Sequence, residues 1–129
     1  MQPGSKRQSW GQRFRCAFRG IREVALLEPS CRFQWGFFAL VMAMAAWLKI
    51  STIEWAVVCL CGGAVLGAEA LNTAIEKLAD RVTAEQEEAI RGIKDAAAGG
   101  VLLLALAAAG AGTVILLPPL LEKVAAWFS

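Results

Sequence analysis

Histidine is absent from all 129 residues of this chain. That removes His-dependent phosphatase chemistry and most zinc sites. It leaves carboxylate, amide, hydroxyl and lysine groups, which suit Mg²⁺ and phosphate. A G-x-x-x-x-G-K-[ST] loop is missing too, so any use of ATP proceeds without a P-loop. The glycine runs at Gly62–Gly67 and Gly110–Gly112 follow no predicted strand and read as helix-packing positions. The four cysteines make no disulfide framework. Cys59 and Cys61 flank Leu60 inside an apolar run, while Cys16 and Cys31 fall on the predicted cytoplasmic side, where thiols stay reduced. No signal peptide is expected, because the first apolar run begins late and leads into further spans. No nucleic-acid partner is expected either.

What is present is apolar. The chain is 57% hydrophobic with a mean hydropathy of +0.53, too high for a soluble domain of this size and long enough for only one. The expectation is an all-α integral membrane protein. Lys6, Arg7, Arg13, Arg15, Arg19, Arg22 and Arg32 precede the first span and are opposed only by Glu23 and Glu28. By the positive-inside rule this end stays in the cytoplasm.

Residues 1–9 are polar and expected to be disordered; residues 10–129 form the domain. Trp10, Phe14, Phe18, Ile21 and Ala25 recur at helical spacing with arginines around them, predicting an amphipathic surface helix over residues 10–28. Pro29 breaks the chain before a span over residues 32–49, bracketed by Trp35 and Trp47. A second span covers residues 53–76. Thr83-x-x-Gln86 has the pattern of a capping box and predicts a new helix after Val82. That helix becomes a third span over residues 96–117, which Pro118-Pro119 is expected to end on the outer side, leaving a short tail with Trp127. Gly99, Gly100, Gly110 and Gly112 read as points of close helix approach.

The second span carries the chemistry. Glu69, Asn72 and Glu76 share a helical stripe that Thr73 and Asp80 continue. An ionisable group at membrane depth costs roughly 2.5–3.5 kcal/mol on insertion scales and marks function more often than packing. A polar seam would be satisfied by a single Asn or Gln. Glu69 and Glu76 lie about 10 Å apart along the axis, too far to chelate one ion together. Glu69 therefore suits something inside the membrane, and Glu76 something at the water interface. Glu28 and the Lys94-Asp95 pair are weak signals alone, but the pair borders the same cytoplasmic level as Glu76.

The segment E-A-L-N-T-A-I-E-K-L-A-D-R from Glu69 to Arg81, followed by G-I-K-D at Gly92–Asp95, resembles the bacterial diacylglycerol kinase family of small membrane lipid kinases. F-x-x-A-F-R-G-I-R from Phe14 and Glu28-x-x-x-Arg32 resemble its N-terminal half, and the match runs over roughly residues 10 to 120. The resemblance implies a homotrimeric bundle of three-span subunits with active sites between them, in the bacterial inner membrane. It implies transfer of the ATP γ-phosphoryl group to a lipid alcohol, diacylglycerol first and undecaprenol as the alternative. By position Glu69 would be the general base, and Glu28 and Glu76 the Mg²⁺ and ATP ligands. Asn72 would be a polar partner at the site, and Glu85, Lys94 and Asp95 would hold the nucleotide. Gln86-Glu87 stands where the family often has Tyr-His, and Gln34 where it often has Glu or His. Two rival classes are a proton-coupled transporter using Glu69 and a non-catalytic assembly protein. The first expects a site confined to the midplane, and the second leaves Lys94-Asp95 and Glu28 without a purpose.

Overall fold

The computed structural model describes residues 9–82 and 87–129. They form four helices: α1 (Trp10–Leu27), α2 (Pro29–Leu48), α3 (Thr52–Val82) and α4 (Glu88–Phe128). Three of them, α2, α3 and α4, are long and apolar enough to cross a membrane. At 1.5 Å per residue α2 is about 30 Å long, the thickness of a hydrocarbon core. By the same rise α3 reaches about 46 Å and α4 about 62 Å, so both project well beyond it.

Local chemistry sets the helix ends. Ser9 and Gln12 form a reciprocal capping box that starts α1. Glu28 is extended (ψ 119°), and Pro29 follows as the first residue of α2, where its missing N–H is no loss. Lys49 ends α2 in the left-handed conformation, with its N–H returned to Ala45 and Ala46. A second capping box starts α3: the Ser51 N–H donates to Glu54 Oε2 at 2.7 Å, and the Glu54 N–H to Ser51 Oγ at 3.3 Å. The Thr83-x-x-Gln86 pattern lies outside the described residues, and α4 begins instead after Glu87, which makes no side-chain cap.

Side-chain contacts fix the helix directions. Phe38 of α2 meets Gly62 of α3, and Asp80 near the end of α3 meets Lys94 near the start of α4. Consecutive spans therefore run antiparallel. The longest contact is between α3 and α4. A small core of Ala45, Leu48 and Leu116, flanked by Met44, Trp55 and Leu120, closes the end remote from Glu69.

The third span differs from expectation. α4 continues through Pro118 and Pro119 to Phe128. Each proline forfeits a backbone hydrogen bond, which normally ends or kinks a helix. Here packing holds both sides of the break: Ile115 and Leu116 sit in the core before it and Leu120 after it. One turn further, Lys123 Nζ donates to the Trp47 carbonyl at 2.7 Å and lies 4.5 Å from the Trp47 ring centroid. It satisfies a carbonyl near the C-terminus of α2, where a cation is favoured.

The glycines divide. A Cβ built on Gly62 would collide with the Phe38 ring, so this position does carry the close approach of α2 and α3. Gly99, Gly100, Gly110 and Gly112 face open space within one chain, and their expected role in packing is not met there. Gly62→Ala should lower the stability of the detergent-solubilised protein by roughly 1–3 kcal/mol, the usual cost of overpacking. Adding Phe38→Leu should recover most of that loss in thermal unfolding. A stable Gly62→Ala protein would show that this contact does not set the spacing of α2 and α3.

Candidate active site

The antiparallel register of α2 and α3 turns one face of each into a ladder of polar rungs. Gln34 Nε2 donates to Glu69 Oε1 at 2.5 Å. One turn toward the C-terminus of α3, Cys31 Sγ and Thr73 Oγ1 lie 3.8 Å apart, both residues buried. One turn further, Lys77 Nζ meets Glu28 Oε1 at 2.8 Å. Glu69, Thr73 and Lys77 follow at steps of four along α3, the spacing that keeps side chains on one helix face. Of the sequence stripe, α2 thus engages Glu69 and Thr73.

The remaining members are bonded elsewhere. Asn72 Nδ2 donates to Glu76 Oε1 at 3.2 Å along α3, and Glu76 is exposed. Asn72 Oδ1 is buried without a partner among the described residues. Asp80 forms an ion pair with Lys94 at the base of α4. Asp95 is exposed beside it. Glu85 lies outside the described residues.

Two expected groupings are therefore only partly assembled. Glu28 pairs with Lys77, the neighbour of Glu76, rather than with Glu76 itself. Lys94 is held by Asp80, which ties the polar end of α3 to the polar start of α4. No three His, Cys, Asp or Glu side chains converge as a metal cage among the described residues. In the sequence alone Lys77 is one charge among several. Its signal is the step of four from Glu69 through Thr73, visible once α2 is known to lie on that face.

Above the ladder, α2, α3 and α4 border an open-sided cleft of about 600 Å³ lined almost wholly by apolar side chains such as Phe37, Val41, Val65 and Leu116. Gln34 is the one carboxamide in its wall. A single amide thus touches both an apolar cleft and a partly buried carboxylate, Glu69.

A family model described as prokaryotic diacylglycerol kinase matches residues 15–116. The chain belongs to the prokaryotic diacylglycerol kinase family. It is 36% identical over 104 residues to a protein of Bacillus subtilis (strain 168) named undecaprenol kinase, a match spanning 81% of this chain and 85% of that one. It is also 36% identical over 110 residues to a Synechocystis protein named diacylglycerol kinase, covering 84% of this chain and 63% of its relative. Membership makes this chain a multi-pass membrane lipid kinase and implies a nucleotide co-substrate. The transporter reading finds no support, and a non-catalytic assembly role is set aside with it.

Proposed function

We propose that this kinase transfers the γ-phosphoryl group of ATP to the primary hydroxyl of a membrane lipid, diacylglycerol first, giving phosphatidic acid. The observation that carries the proposal is the meeting of apolar cleft and carboxylate through Gln34. A lipid tail belongs in the cleft and its hydroxyl at the Glu69 end. Glu69 takes the hydroxyl proton as the lipid oxygen bonds to the γ-phosphorus. The bond from that phosphorus to the oxygen bridging it to the β-phosphate breaks, and ADP leaves with the electron pair. Such transfer is mainly positioning and charge neutralisation, within reach of a few carboxylates and a lysine.

The donor set at the aqueous end suits Mg²⁺ bound together with a nucleotide. Mg²⁺ prefers one or two carboxylates completed by phosphate oxygens and water, and dispenses with an all-protein cage. Glu76 and Glu28 are the carboxylates for it, with Lys94 and Asp95 for the nucleotide. Asn72, whose Oδ1 lacks a partner among the described residues, is the polar neighbour of the site. When bound, the metal neutralises charge on the phosphates.

The family resemblance supports a homotrimer with sites shared between subunits. One chain leaves Phe33, Phe37, Leu60, Leu71 and Leu103 exposed, apolar surface that lipid or neighbouring subunits would cover. Helix α1 exposes Trp10, Phe14, Phe18 and Ile21 beside its arginines, which favours a place on the inner-membrane surface. The N-terminus is cytoplasmic in this reading. A single cysteine replacing Glu88, in a background without the four native thiols, should resist an impermeant reagent added outside, whereas one replacing Thr52 should react. The reverse pattern would invert the topology.

Undecaprenol is the second reading. At equal identity, the chain spans more of the relative named for that substrate than of the one named for diacylglycerol. Purified protein given MgATP and equal amounts of both lipids decides between them. Preferential labelling of diacylglycerol is expected, and preferential labelling of undecaprenol would replace it.

A further inference from the structure

Gln34 sits one helix away from the candidate base, yet its amide nitrogen donates directly to Glu69 Oε1. Its own wall position in the apolar cleft puts it where the head of a lipid alcohol would arrive. Glu69 Oε2 has no hydrogen-bond partner among the described residues. We infer that Gln34 is the positioning residue for the proton-accepting carboxylate, holding one oxygen from α2 so that the other is presented to the lipid hydroxyl. This inference rests on the reading of Glu69 as the base.

The chemistry of the amide favours this role over a plain packing seam. A glutamate has three freely rotating side-chain torsions, and a base misplaced by an ångström loses much of its rate. A cross-helix bond removes that freedom. The donor is neutral, so it holds the carboxylate without cancelling its charge, as a lysine would. It carries no titrating proton, so it does not compete with the lipid hydroxyl, as a second carboxyl would. The anchor is firm because the rungs below, Cys31–Thr73 and Glu28–Lys77, fix the register of α2 on α3. Phe38 against Gly62 fixes it from above.

The test uses the full chain in mixed micelles with diacylglycerol and labelled MgATP, which detects residual rates. Gln34→Met keeps side-chain length and removes the donor. It should lower kcat by roughly 10- to 100-fold, the worth of one hydrogen bond to a charged group, with KM for MgATP unchanged. In a Glu69→Gln background the same substitution should cost nothing further, because the group it positions is already gone. If Gln34→Met disturbs assembly, Gln34→Asn carries the same test, since its donor is one methylene short of Glu69. Equal losses in both backgrounds, or a rise in KM without a fall in kcat, would reduce Gln34 to a structural contact and leave Glu69 as the base. Undiminished turnover in Glu69→Gln alone would instead overturn the base reading, and this inference with it.

Discussion

Replacing Glu69 by Gln is expected to lower turnover by roughly 10²-fold or more, the scale of general-base catalysis. The lipid hydroxyl is a poor nucleophile at neutral pH, and a carboxamide cannot take its proton. The variant should still fold and bind ATP. Its side-chain carbonyl can accept the Gln34 N–H that now reaches Glu69 Oε1, so the rung between α2 and α3 survives. The rate should fall in single-turnover transfer, with KM for MgATP close to the parent. Near-normal turnover would sink the assignment of Glu69 as the base.

Glu76→Ala should act on the other substrate. Glu76 is exposed on α3, and Asn72 holds one of its oxygens. Its loss removes a hard oxygen donor and leaves the Asn72 amide without that bond. Affinity for MgATP should fall on the order of 10- to 100-fold, what one charge-assisted contact is worth. Lipid affinity should change little, because Glu76 lies about two turns along α3 from Glu69. Undiminished nucleotide affinity would remove Glu76 from the metal and nucleotide role. The pair of variants thus separates the two ends of the stripe: one loses rate, the other loses MgATP.

The spans were legible in the sequence because apolar composition over about 20 residues is a property of one segment and needs no partner. The stripe was legible for the same reason, since helical periodicity places Glu69, Asn72 and Glu76 on one side without reference to any neighbour. What escaped depends on two segments meeting. Gln34 reads from the sequence only as a departure at its position, and Lys77 as one charge among several. Their bonds to Glu69 and Glu28 exist because α2 and α3 share a register set by Phe38 against Gly62 and by the turn ending at the Ser51 cap. The stop expected at Pro118-Pro119 failed for a related reason. Proline breaks an isolated helix, but Leu116, Leu120 and Lys123 dock α4 on α2 on both sides of the break. Ser9-x-x-Gln12 and Ser51-x-x-Glu54 match the capping-box pattern within a single segment, and both form it.

The proposed reaction is phosphoryl transfer from a nucleotide to a membrane lipid alcohol at the Glu69 end of α3. Its most direct test is to incubate the purified full-length protein in lipid vesicles with γ-labelled ATP and follow the label. The label should appear in a phosphorylated lipid in the parent protein, be lost on chelation of Mg²⁺ and be strongly reduced in Glu69→Gln. Label released only as inorganic phosphate, or a lipid product formed equally well by Glu69→Gln, would contradict it.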